Sequence, residues 1–211
     1  MRGGIRTTTD LKQRTMKRSH VIITGTGRTG TTFLVQLFTR LGYDTGYGDS
    51  VQSTIANTKS KGGLEHNLLK DGCPFIVKDP RFCNYADVAI ARSDIKIEHI
   101  LLPVRNIEAA TASRIHNKGS SSGGLWLTAN DAGAAEQEDV LLRLLSKLLV
   151  SLAKTDIPVT LLHYPTLVKN SWYLYDKLRP LLGVMDYETF KIVFGHTAQE
   201  DWVHQYNDDD K

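Results

Sequence analysis

The chain has 211 residues, enough for one domain with a sizeable core. Its formal net charge of +3 and 23% charged residues are those of an ordinary globule, with no basic stripe that argues for nucleic acid. Membrane spanning is not expected either: the most apolar segment, Leu141 to Leu152, is short and is broken by Arg143 and Lys147.

Read in chain order, the sequence begins with a basic stretch. Arg2, Arg6, Lys12, Arg14, Lys17 and Arg18 stand against Asp10 alone. Without an apolar signal core, residues 1–19 read as a flexible arm of a cytoplasmic protein. A single domain is expected over 20–206, and an acidic tail over 207–211. Four apolar runs, Val21–Thr24, Phe75–Lys78, His99–Val104 and Val159–His163, read as buried parallel strands. Helical spacing separates them, first at Phe33, Leu34, Leu37, Phe38 and Leu41, later at Leu141, Leu145, Leu148 and Leu152. This alternation predicts an α/β fold, a three-layer sandwich around a central parallel sheet. Residues 44–73 and 117–136 break the pattern. They follow the first and third strands, at the edge where such sheets bind ligands. Cys73 and Cys83 lack ligand spacing and are expected to be free thiols, with no metal site.

The first strand runs into "GTGRTGTTF", Gly25 to Phe33. A strand, a glycine turn and a helix make a phosphate cradle, because backbone N–H groups converge on an anion at the positive end of the helix dipole. Gly27 and Gly30 let the backbone approach closely, Thr29, Thr31 and Thr32 offer hydroxyls, and Arg28 adds charge inside the turn. Thr31 stands where a nucleoside-triphosphatase would place its lysine.

This stretch resembles the 5′-phosphosulfate loop of the sulfotransferases that use 3′-phosphoadenosine 5′-phosphosulfate. The resemblance puts Arg28 on the family's basic catalytic position and Phe33 on the aromatic that stacks on adenine. "PVRNIEAATASR", residues 103–114, resembles the family's 3′-phosphate motif, with Arg105 and Ser113 eight residues apart and Ile107 in place of the usual proline. Arginine offers a planar fork suited to a phosphate dianion, and eight residues is about two helical turns. "LLHYPTLVKN", residues 161–170, is similar to the strand end whose tyrosine lies by the adenine, here Tyr164; Pro165 and Thr166 depart from the family's acidic pair. The matches run over roughly 20–194, and the family's Arg-Lys-Gly near the C-terminus is missing. The resemblance implies a P-loop NTPase-like sandwich, binding of the phosphosulfate donor without a required metal, and adenosine 3′,5′-bisphosphate as product.

Sulfuryl transfer is an in-line displacement that needs a base for the acceptor's hydroxyl (or amine) proton and positive charge for the leaving phosphate. "VKDPRF" ends the second strand and resembles a Lys-containing strand end of several sulfotransferase branches, which makes Lys78 a second cation and Asp79 a base. Glu65 ranks level with Asp79 as base, and Asp49 follows; His66, beside Glu65, is another rival. Trp126 reads as a hydrophobic anchor or a wall of the acceptor pocket. Two rivals stay open: a small-molecule or nucleotide kinase, and a nucleotide-binding protein without catalysis. The acceptor, small-molecule or carbohydrate, cannot be read from the chain.

Overall fold

The computed structural model describes residues 17–48, 62–118, 124–126 and 133–198. Four strands, β1 (Arg18–Ile23), β2 (Ile76–Lys78), β3 (Ile95–Val104) and β4 (Val159–His163), alternate with helices. The helices are α1 (Thr31–Arg40), α2 (Phe82–Ala91), α3 (Ile107–His116), α4 (Ala134–Leu152), α5 (Thr166–Lys169), α6 (Ser171–Leu182) and α7 (Tyr187–Thr197). The strands form one sheet in the order β2-β1-β3-β4, parallel throughout. The expected α/β architecture with a central parallel sheet is present.

The apolar runs of β1 and β3 are continuous because both faces of the sheet are covered. Val21 and Ile23 join one core with Leu34 and Phe38 of α1, Leu174 of α6 and Phe190 of α7. Ile22 enters a second core with Phe82 of α2 and Leu148 of α4. In β3 the alternation changes phase. His20 pairs with Ile97 and Val21 with His99, so Glu98 is an inserted residue. This bulge lets Ile95 and Ile97 share a core with Ile100 and Leu102, which a strict period of two would send to the other face.

Several boundaries differ from expectation. β1 starts at Arg18, which pairs with Asp94 at 2.8 Å, so Arg18 and Ser19 belong to the sheet rather than to the arm. Residues 1–16 of the arm, and the tail at 207–211, lie outside the described residues. β4 is an edge strand among the described residues, not a buried one: Val159 is 38% and Leu161 53% exposed, with β3 as its one described neighbour. Helix α4 starts at Ala134 rather than near Leu141, with the Glu136 carboxylate accepting from the Gly133 N–H at 3.0 Å. The stretch 117–136 therefore ends as helix. Both cysteines are free, and burial pushes the Cys83 thiol up to about 11. Among the described residues no helix is long and apolar enough to cross a membrane.

The strand order positions the site. From β1 the chain moves to one neighbour, β2, and from β3 it moves the opposite way to β4. The carboxyl ends of β1 and β3 thus flank a topological switch point, where open α/β sheets hold ligands.

Candidate functional site

The turn between β1 and α1 occupies that switch point. Gly27 (φ 70°), Arg28 (φ 60°) and Gly30 (φ 80°) all take left-handed backbone. A Cβ at Gly27 would lie 2.6 Å from Arg114 Nη2, so the guanidinium would have to shift to admit a side chain there. At Gly30 it would meet Leu167 at 3.1 Å and Tyr164 at 3.2 Å. Arg28 adopts this region with a side chain, at a cost on the order of 1–2 kcal/mol, so the surrounding contacts hold it there. Gly30 is also the N-cap of α1, with no side-chain cap and no acidic residue in the first turn. The first N–H groups of α1 therefore form a positive end suited to an anion.

The threonines are used differently from one another. Thr29 is fully buried, and its hydroxyl has no hydrogen-bond partner among the described residues. Thr31, the first residue of α1, is buried as well. The Thr32 hydroxyl accepts from the Lys78 ammonium at 3.0 Å.

The 103–114 segment closes on Arg28. Its Nε donates to the Ser113 hydroxyl at 3.0 Å, while its carbonyl accepts from Arg105 Nη1 at 3.2 Å. The Arg105 guanidinium lies 4.7 Å above the Tyr164 ring, and Arg105, Ser113 and Tyr164 are all buried. Residues 28, 105, 113 and 164, far apart in sequence, thus form one cluster. Helix α3 can deliver Ser113 there because Asn106 caps it: the Asn106 side chain accepts from the Ala109 N–H at 3.0 Å. Phe33 packs edge-to-face on Phe194 of α7, centroids 5.6 Å apart.

Beside this cluster, β2 brings up a buried lysine. Lys78 is 2% exposed, donates to the Gly63 carbonyl as well as to Thr32, and lies 3.5 Å from Glu65. Burial lowers its pKa to about 8, with Glu65 holding it from falling further. Asp79 is held in a different way. One carboxylate oxygen accepts from the Arg81 N–H at 2.9 Å and the other from the Tyr85 hydroxyl, and burial raises its pKa. The base candidates are thus distinguished: Glu65 faces Lys78, and Asp79 is tied to the start of α2. His66 donates its backbone N–H to the Lys78 carbonyl at 2.9 Å, and its ring lies 3.2 Å from the Thr45 carbonyl oxygen. Asp49 lies outside the described residues.

Arg114 was missed from sequence. It is 5% exposed, donates to the Gly124 carbonyl at 2.7 Å and to the Thr26 carbonyl of the loop, and stacks 4.9 Å from the Trp126 ring. Burial lowers its pKa to about 10. Trp126 is an anchor: its backbone exchanges hydrogen bonds with the Gln137 side chain at 2.7 and 3.3 Å. The helical period did carry a signal, since Ala110, Ser113 and Arg114 of α3 and its C-cap Asn117 lie on one buried stripe.

Chemically, the arrangement offers backbone donors at a helix start and three cations, Arg28, Arg105 and Lys78, around one turn. Such a group can bind a ligand with more than one anionic centre and stabilise charge that develops on it. Among the described residues no three His, Cys, Asp or Glu side chains gather as a metal site. Comparison with models of protein families gives no match, and comparison with curated proteins gives none either.

Proposed function

We propose that the chain is a sulfotransferase that takes the sulfuryl group from 3′-phosphoadenosine 5′-phosphosulfate to an acceptor hydroxyl, on a P-loop NTPase-like fold. The observation that carries this reading is the meeting of Arg28, Arg105, Ser113 and Tyr164, drawn from the three segments that resemble the family's nucleotide motifs. A nucleotide with phosphate at both ends needs two cationic subsites in reach of each other, and these residues fit that need. The donor supplies an activated sulfuryl group whose departure leaves negative charge on the 5′-phosphate.

Residues 27–32 and Arg28 hold the 5′ end through backbone donors and charge, while Arg105 and Ser113 hold the 3′-phosphate. Lys78, hydrogen-bonded to Thr32, adds the second cation at the loop. Glu65, 3.5 Å from Lys78, receives the acceptor's proton as the new oxygen–sulfur bond forms and the bond to the 5′-phosphate breaks. Asp79 orients the turn into α2 through Arg81 and Tyr85.

Lys78 also favours a kinase to one extent, because it brings a lysine to a loop that lacks one. Against that, Asp79, the carboxylate at the end of β2, is engaged by Tyr85 and Arg81. Calorimetry decides between them: adenosine 3′,5′-bisphosphate should bind in the presence of EDTA, more tightly than magnesium–ATP. Transfer of labelled sulfate from the donor to a pooled acceptor panel then tests catalysis. Magnesium–ATP binding without bisphosphate binding would leave the kinase.

A further inference from the structure

The cleft beyond Glu65 has a chemistry that says which acceptors it admits. It lies between the 65–73 segment and the start of α2, with a volume of about 590 Å³. Glu65 lines the cleft and lies 3.5 Å from Lys78, which links the cleft to the loop through Thr32. Its walls carry the carboxylates of Glu65, Asp71 and Asp79, the cations Lys70 and Arg81, and the amides Asn67 and Asn84. None of its lining residues is aliphatic, Phe or Trp; His66 and Tyr85 bring two polar rings and Cys73 a thiol, and the Tyr85 hydroxyl is given to Asp79.

Pockets for phenols, steroids and other apolar ligands are lined mainly by hydrophobic and aromatic side chains, with a few polar groups to orient the ligand. A flat aromatic ring or alkyl chain placed here would strip water from ionic and amide groups and return no hydrogen bonds to them. A molecule carrying hydroxyls on several sides would replace that water group for group. The walls also hold both signs of charge in nearly equal number, three carboxylates against two cations, which suits a neutral ligand over a strongly charged one.

We infer that this cleft is the acceptor site and that it takes a neutral, polyhydroxylated acceptor of saccharide type, one hydroxyl of which is presented to Glu65. The inference rests on the sulfotransferase reading. In the transfer, the hydroxyl oxygen bonds to sulfur, its proton goes to Glu65, and the electron pair of the breaking bond leaves with the 5′-phosphate oxygen of adenosine 3′,5′-bisphosphate.

The test uses the whole chain, labelled donor and two acceptor panels: neutral mono- and disaccharides, and apolar acceptors such as 4-nitrophenol and long-chain alcohols. Bisphosphate affinity is measured beside it by calorimetry. Label should pass to a saccharide, and not to the apolar panel. Asn84→Leu, an exposed change on α2 that leaves the nucleotide residues alone, should raise the saccharide KM at least several-fold with the bisphosphate Kd unchanged. Bisphosphate binding with transfer to phenols or alkyl alcohols in preference to saccharides overturns the acceptor inference and leaves the sulfotransferase reading intact. Bisphosphate binding with no transfer to either panel, or an unchanged saccharide KM in Asn84→Leu, overturns the inference as well. Absence of bisphosphate binding removes the sulfotransferase reading itself, and the inference with it.

Discussion

Two corners of the carboxyl edge of the sheet handle positive charge in opposite ways. At the β1–β3 corner, Arg28 and Arg105 are held by a hydroxyl, a loop carbonyl and the face of Tyr164. At the β2 corner, Lys78 is buried beside a carboxylate, Glu65. A guanidinium keeps its charge under all ordinary conditions and spreads it over a plane, so neutral partners can position it without neutralising it. A buried ammonium can lose its proton, and here burial has brought that event near neutral pH. The first corner therefore keeps its positive charges at any ordinary pH. The second is one whose charge depends on pH and on Glu65.

The largest effect should follow from breaking the first corner at Arg28. Arg28→Ala should lower sulfate transfer on the order of 10²–10³-fold, by analogy with loss of an oxyanion donor, while the loop N–H groups keep part of the nucleotide affinity. Single-turnover transfer with labelled donor measures it. A parental rate would end the proposed role of Arg28.

Arg105→Ala should come next. Loss of a hydrogen bond to a charged group costs about 1.5–3 kcal/mol, or roughly 10–150-fold in affinity, and it should fall on the 3′-phosphorylated nucleotide alone. Calorimetry with the bisphosphate and with its 3′-dephospho analogue makes the comparison; equal weakening of both would detach Arg105 from the 3′-phosphate.

The second corner is tested by pH. Anion binding favours charged Lys78, so affinity for the bisphosphate should fall as pH rises through about 8, with proton uptake on binding in that range. The sign for folding is the reverse. The folded pKa lies below the ordinary lysine value of 10.5, so the unfolded chain binds more protons in between, and stability from this group rises with pH from about 8 to 10.5. Lys78→Met should abolish both trends. Glu65→Gln should move the midpoint of the affinity loss to lower pH, because Glu65 is what holds the lysine's pKa up. A midpoint that does not move would show that the two side chains are uncoupled.

The smallest effect on transfer is expected at Asp79. Asp79→Asn should cost about 1–3 kcal/mol of stability through the altered Tyr85 and Arg81 hydrogen bonds, and lower the transfer rate at saturating acceptor far less than Glu65→Gln does. Thermal unfolding and steady-state rates together check this. A rate loss matching that of Glu65→Gln would restore Asp79 as the base.

The glycine turn of the first corner was legible because its geometry is local. Glycines at 25, 27 and 30 after an apolar run encode a strand, a left-handed turn and a helix start, and each is a near-neighbour property. The spacing of Arg105 and Ser113 is likewise set within one helix start, which Asn106 caps. At the second corner Lys78 and its candidate carboxylates were legible, but not which of them it meets. Glu65 and Asp79 rank level in the sequence, with Asp49 behind; only the packing of 62–66 along β2 turns Glu65 toward Lys78, while the α2 turn claims Asp79. Arg114 escaped for a related reason. Burial of an arginine among backbone carbonyls and a tryptophan depends on chain segments at 26 and 124–126 that no short window joins.

What the sequence by itself determined is the set of elements and their layering: apolar runs of strand length, helical stripes between them, and a glycine turn after the first strand. Each follows from the periodicity of side chains along a regular backbone, a property of neighbours in the chain. The tertiary structure alone decided the strand order, the bulge that inserts Glu98 in β3, the exposure of β4 as an edge, and which carboxylate meets the buried lysine. These depend on which distant surfaces come to share a core. Burial is a property of the packed whole, and it is burial that brings the pKa of Lys78 near 8 and ties Arg114 beneath the loop.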